Sequence, residues 1–338
     1  MFSKDNIARV QRQRGLRGRG FEVINVYFKT GQCHSGLISP EQNLILQEWQ
    51  NDGHAIEPPP LKRGTDSTTT AFHEHPLFVL PEDKGAMVWR YMNFDQFVSL
   101  LNTNALWFSR GHILKQLEPY EGRLPLPNTS MDMHSVAKKV FPTRNFSSEQ
   151  LTQFLQTHRS IQEGISYNTL VNCWNLGAHE SYAMWKVYGK ANNCVAIKSS
   201  ISRLVDSFGA YTDYDVYIGS IKYIDHQATE IDEGNYWSAW LHKAKFYESE
   251  QELRCVIMDD GDINLFSNDE PYVSPFHGSQ SDIDNLSPGV QVPIDLKTLI
   301  SEIYIGPHSE IWFKDTVCEI LHRYGLTNIV VNSSLIAG

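Results

Sequence analysis

Apolar and polar positions along this chain fall into short runs whose period changes often. Residues 21–28 (FEVINVYF), 87–91 (MVWRY), 105–109 (ALWFS), 170–176, 194–197, 215–224, 252–258 (ELRCVIM), 290–294, 303–305 and 328–331 read as strands. Helical spacing appears at Phe94, Phe97, Val98 and Leu101, with Asn93 as N-cap. It returns at Leu151, Phe154, Leu155 and Ile161 behind a Ser147/Gln150 capping box. Residues 180–188, 200–208, 235–246 and 309–324 also read as helices, the last with Trp312, Val317, Ile320 and Leu321 inward and Gly325 just past its end. Residues 110–123 and 259–287 read as irregular loops. Strands and helices mix without strict alternation and no repeat is present. The pattern predicts an α+β fold with a mixed, largely antiparallel sheet and flanking helices.

Residues 1–72 look different and are expected to be a variable, partly flexible N-terminal segment. Arg9, Arg12, Arg14, Arg17 and Arg19 form a basic cluster that reads as a solvated tail, with a basic nucleic-acid arm as the alternative, and the Pro58–Pro60 run and residues 64–70 (GTDSTTT) read as linker. The main domain is expected over 73–338. The chain has 338 residues, of which 41% are hydrophobic, and a formal net charge of -10. That balance argues against a protein built to coat a nucleic-acid backbone, although a local basic groove remains open. Five scattered cysteines without a C-x-x-C pair point to a reducing, cytoplasmic setting. No apolar run approaches the roughly 20 residues of a membrane span, and the N-terminus lacks the apolar core of a secretory signal.

Chemistry concentrates in three places. Glu250-x-Glu252-x-Arg254 is expected to line two carboxylates and a guanidinium along one strand face, with Arg254, Lys243 or Lys245 as counter-cations. A solvated strand face carrying a weak surface ion pair is the alternative. Residues 173–200 interleave aromatic rings with polar groups. Trp174, Met184, Trp185 and Tyr188 fit either a packed core or the wall of a cleft. The loop Glu118-Pro119-Tyr120-Glu121-Gly122 suits carboxylates held into a cleft. Arg90 sits between Trp89 and Tyr91 on a strand, where Arg faces either solvent or an anion. His179-Glu180-Ser181 are sequence neighbours and make a poor catalytic triad. His73 and His75 lack partners at metal-ligand spacing, so no metal site is expected.

Residues 87–106, 118–122, 173–188, 243–254 and the C-terminal IYIGPHSEIWF together resemble the bacterial domain-of-unknown-function family 2971. Here Glu118 stands where the family's D-P-F-E-G loop has Asp, and Asn175 stands where many members have Ser or His. A looser similarity is to ADP-ribosyltransferases, which order an early Arg or His, a central polar residue and a late Glu. That resemblance implies an NAD-binding cleft. Arg90 would hold the pyrophosphate. Trp185 or Tyr188 would stack on nicotinamide. Glu121, Glu180 and Asn175 would complete the binding walls. Glu252, with Glu250 and Arg254, would carry the chemistry. The implied activity is ADP-ribosyl transfer or NAD hydrolysis, as in a toxin or phage-defence effector. A non-catalytic module for a nucleotide or nucleic-acid end, and a Mg²⁺-dependent nuclease built on Glu121, Glu250 and Glu252, remain open beside it.

Overall fold

Strand β6 (Thr169–Leu176) is the axis of the main sheet, because three other strands pair with it. The computed structural model describes residues 2–57, 71–130, 164–258 and 285–335, apart from 19, 20, 31, 38, 39, 190–192, 210–213, 233–236 and 328. It also describes 135, 147–150 and 152. One edge of β6 is taken along Thr169–Asn175 by antiparallel β11 (Glu252–Met258). The other edge is shared. β4 (Met87–Asn93) meets it at Asn175 and Leu176, while β5 (Ala105–Arg110) meets it at Leu170 and Val171. The sheet therefore forks. One arm runs through β5 to β12 (Gly289–Pro293), the other through β4 to β7 (Cys194–Ser200), β13 (Glu302–Ile305) and β14 (Val330–Asn332). β8 (Tyr217–Ser220) extends the β11 side. Among the described residues this sheet has nine strands, of which only β13–β14 pair in parallel, so it is mixed and largely antiparallel, and the fold is α+β.

Period-2 alternation sorts the sheet residues onto two faces. Leu170, Trp174, Val195, Ile197, Leu253, Cys255 and Ile257 pack under three helices, α2 (Phe94–Thr103), α5 (Ile201–Ser207) and α6 (Ile311–Arg323). Each buried aliphatic side chain there contributes about 1.5–3 kcal/mol. The opposite face is covered in two separate patches. Val171, Tyr217, Val256 and Met258 pack on Trp237, Trp240 and Leu241. Trp89, Tyr91 and Ala196 pack on Met184 and Trp185 of α4 (Tyr182–Tyr188). Between these patches the same face presents Cys173, Asn175, Glu252 and Arg254, and the candidate site lies there.

The remaining elements explain several departures from the sequence pattern. Residues 110–123 are half helical, as α3 (Gly111–Leu117). The helix expected over 235–246 is instead a 3-10 turn Ser238–Trp240, a strand β10 (His242–Ala244) and a 3-10 segment Lys245–Glu250. Pairing of β10 with β9 (Lys222–Ile224), together with burial of Trp237 and Trp240, outweighs local helix preference. The single strand expected over 215–224 is broken into β8 and β9. Trp312 is 57% exposed, and the inward residues of α6 are Phe313, Val317 and Leu321.

The basic N-terminal run, through Gly18, is a strand instead of a tail. It is β1 (Ile7–Gly18) of a three-stranded antiparallel sheet with β2 (Phe21–Phe28) and β3 (Cys33–Leu37). Helix α1 (Pro40–Asn51) closes a small core of Ile7, Val10, Ile24, Val26, Leu46 and Trp49. Arg9 lies over the Tyr27 ring at 4.2 Å. The capping box at Ser147 and Gln150 forms, although the helix expected after it lies outside the described residues, as do the linker 58–70 and most of the loop 259–287. Among the described residues no helix is long and apolar enough to cross a membrane.

Candidate functional site

Gln251 carries a left-handed φ of 42° and breaks the expected alternation, so Glu250 ends a 3-10 segment while Glu252 opens β11. A third residue reunites them. Lys243 of β10 places its ammonium 2.6 Å from Glu250, 3.2 Å from Glu252 and 3.1 Å from Glu118. Arg254, two residues along the face from Glu252, bonds that carboxylate through Nε and clamps Glu121 with two parallel bonds of 2.6 and 2.8 Å. Its Nη1 also donates to the Trp240 carbonyl at 2.8 Å, and its Nη2 reaches the second Glu252 oxygen at 3.3 Å. Glu121–Arg254–Glu252–Lys243–Glu250 thus form one chain of alternating charge, with Glu118 as a branch.

Local structure fixes both ends of this chain. Glu121 reaches Arg254 because the Trp240 ring lies flush against Gly122, where a Cβ would meet it at 2.5 Å, and Gly111, where the distance would be 2.3 Å. Gly122 also has φ +57°, the conformation glycine adopts without strain. Glu250 is held from behind by the Asn175 amide, which donates to its carbonyl. The Glu252 amide donates to the Tyr223 hydroxyl at 2.8 Å. The Tyr247 ring covers the Lys243 ammonium at 4.8 Å.

Burial and charge oppose each other at these groups. Burial alone would raise the Glu252 pKa, but Arg254 and Lys243 hold it at about 2. Burial would lower Lys243, and Glu252 and Glu250 outweigh it, so the ammonium stays charged far above neutrality. Glu118 is raised by burial and by its carboxylate neighbours against the pull of Lys243. Burial and Glu252 push the Cys173 thiol up, so it is a thiol that donates to Glu252 rather than a nucleophilic thiolate.

Arg90 occupies the fork. Between the two arms Cys173 has no strand partner on that edge, and its carbonyl accepts from Arg90 Nη1 at 2.6 Å. Among the described residues no carboxylate lies within ion-pair distance of this guanidinium, and burial lowers its pKa. Cys173 links the two halves of the site, since its carbonyl meets Arg90 and its thiol meets Glu252. Tyr188 stands beside both. Burial and the Glu250 charge raise its phenol, and it also lies near Arg90.

The structure therefore brings together Glu250, Glu252, Arg254, Glu121, Asn175, Arg90 and Tyr188. It corrects the roles of three predicted residues. Trp185 is 3% exposed, edge-on to Tyr91 at 4.9 Å, with its indole N–H on Glu180, and offers no face for stacking. Glu180 instead accepts from Ser333 Oγ, Ser334 N and Ser334 Oγ at 2.6–2.7 Å and clasps the C-terminal segment. Arg254 is 1% exposed with its donors engaged, so it positions carboxylates and does not reach a substrate. Sequence reading named Lys243 only as one possible counter-cation, yet it is the hub. Glu118 joins as one of the loop carboxylates the sequence pointed to, whereas Tyr223 joins through a long-range contact that no local pattern announces. Among the described residues no group of three His, Cys, Asp or Glu side chains is disposed around a metal position, and the carboxylates here converge on an ammonium.

No protein-family model matches the chain, and neither a curated protein nor a solved structure does.

Proposed function

We propose that this site binds NAD and breaks its nicotinamide–ribose bond, passing the ADP-ribosyl group to water or to an acceptor. The observation that carries the reading is the opposite charge held on the two sides of Cys173, whose carbonyl meets Arg90 and whose thiol meets Glu252. At one end Arg90 is a cation without a carboxylate partner among the described residues. At the other, Glu118, Glu121, Glu250 and Glu252 face only Lys243 and Arg254, a formal balance of 2 − 4 = −2. A dinucleotide with a pyrophosphate at one position and a pyridinium ring at another complements both poles.

In this reading the C1′–N bond breaks heterolytically. The electron pair leaves with the ring nitrogen as neutral nicotinamide, and a carboxylate stabilises the oxocarbenium ion left at C1′. Water or an acceptor hydroxyl adds to C1′ and gives up its proton. Glu250 is the better-placed carboxylate for both tasks. It retains 12% side-chain exposure against 4% for Glu252, and it has one cation partner while Glu252 has two. Glu252 then acts by fixing Lys243. The expected setting is the reducing cytoplasm, supported by five cysteines with no C-x-x-C pair.

Nicotinamide release from NAD, followed by chromatography with and without a cell-extract acceptor, tests the proposal. Glu250→Gln is expected to lower kcat by about 100-fold or more with an unchanged melting temperature. Absence of nicotinamide under both conditions overturns it. The saturation of Glu252 by two cations favours a second reading, a nucleotide-binding module without turnover. That reading expects salt-sensitive NAD binding that depends on Arg90 and survives Glu250→Gln.

A further inference from the structure

Beside the carboxylates runs a strip of aromatic rings that the packing of the core does not require. Tyr120 and Phe246 lie edge to face with centroids 5.6 Å apart, and Phe246 meets Tyr247 at 5.1 Å. Tyr120 rests on His226 at 5.0 Å. Phe246 is nonetheless 70% exposed, an unusual place for a phenyl ring on a short 3-10 segment. One face of Tyr247 is occupied by the Lys243 ammonium, which leaves Phe246 as the exposed ring of the strip, beside half-buried Tyr120.

The charge beside this strip selects its ligand. Glu118 and Glu250 are the least buried members of the cluster whose formal balance is −2, and both lie next to Tyr247. His226 adds no positive charge near neutrality, because burial lowers its pKa. Lys245 and Glu248, exposed on the same 3-10 segment, offset one another. Electron-rich ring faces and carboxylates that share a single ammonium both favour a further cation, and the flat rings favour a planar one.

We infer that Tyr120, Phe246, Glu118 and Glu250 form a subsite for a planar organic cation, and that its occupant is a pyridinium ring. The identification as pyridinium rests on the proposed function, while the preference for a planar cation stands on the geometry. The subsite takes the stacking role that buried Trp185 does not fill. It also distinguishes the positively charged ring of an oxidised dinucleotide from the neutral ring of nicotinamide, so the leaving group loses its attraction once the bond breaks.

The test is binding of 1-methylnicotinamide, a pyridinium cation, and of neutral nicotinamide to the full chain, followed by calorimetry and by ligand-observed NMR. The cation is expected to bind on the order of tenfold more tightly. Phe246→Ala and Glu118→Gln are each expected to remove most of that preference, and the exposure of Phe246 keeps its variant folded. Equal binding of the two compounds, no binding of either in the millimolar range, or a preference that survives both substitutions overturns the subsite. Cation binding without any release of nicotinamide from NAD upholds the subsite and rejects the hydrolytic reading, so the two failures are separable.

Discussion

Replacing Lys243 by Met tests whether one ammonium organises the site. The side chain is 4% exposed and touches three carboxylates at 2.6–3.2 Å. Met fills a similar volume without charge, so the formal balance of the cluster goes from −2 to −3 with little cavity. Removing one partner of a buried pair costs about 3–5 kcal/mol, because the orphaned charges stay out of water. With Glu118 and Glu250 partly exposed, the lower end applies, about 3 kcal/mol, or roughly 6–10 °C in melting temperature. The pH dependence carries the sharper signature. In the wild type, Glu252 is depressed to about 2, so its stabilisation is complete above the ordinary carboxylate range and fades as pH falls toward 2. In the variant, carboxylates deprived of Lys243 have folded-state pKa values raised above those of the unfolded chain. The folded state then binds more protons than the unfolded one, and stability rises as pH falls from 7 toward 5. Urea unfolding followed by tryptophan fluorescence at pH 7 and pH 5 measures both effects. A loss below about 1 kcal/mol, or a variant whose deficit does not shrink at pH 5, refutes the account of Lys243 as hub.

Two further substitutions probe the supports of the site. Gly122→Ala adds a Cβ 2.5 Å from the Trp240 ring at φ +57°, so it should cost about 2–3 kcal/mol by denaturant unfolding and loosen the Glu121–Arg254 clamp. Glu180→Gln leaves the shape of the C-terminal clasp but removes the charge that accepts from Ser333 and Ser334. Amide hydrogen exchange at Ser334 and Leu335 should accelerate, with little change in the exchange of β11. The same acceleration should appear in the wild type as pH falls through the depressed Glu180 pKa, after correction for the intrinsic exchange rate.

The strands were legible wherever period and composition agreed. Residues 21–28 and 252–258 emerge with the boundaries their patterns predict, and Asn93 is the N-cap residue of α2, its backbone N–H donating to the Gln96 side chain. The stretch 235–246 was misleading because its aromatic-plus-basic texture suits a helix on a sheet. Its two tryptophans are instead set by contacts with β8 and with the glycines of a loop more than a hundred residues away. The site was legible in its carboxylates and obscure in its geometry. Glu250 and Glu252 looked like alternate residues of one strand. They meet only because Gln251 turns through a left-handed conformation and a lysine from β10 reaches between them. Likewise, nothing local to Arg90 announces that β4 and β5 share an edge of β6 and leave it a carbonyl to hold.

The alternating chain also separates what keeps the protein folded from what the cleft presents. A buried series that begins at Glu121 and ends at Glu250 contains one more anion than cations, and Glu118 adds another. Buried ion pairs contribute little net stability compared with apolar groups of equal volume. Had stability been the only demand, Arg254 and its partners beneath Trp240 would serve as well as leucine and methionine. What an apolar core would not provide is a less buried carboxylate whose position is fixed from below by four charged side chains, and whose one cation partner is shared with two other carboxylates. The fork in the sheet does the reverse at Arg90, where a guanidinium is held by a carbonyl and left without a counter-ion among the described residues. Both poles use the same device. A charge is fixed by groups that answer it only in part, and under the proposed function the remaining attraction would be directed at a ligand carrying both signs.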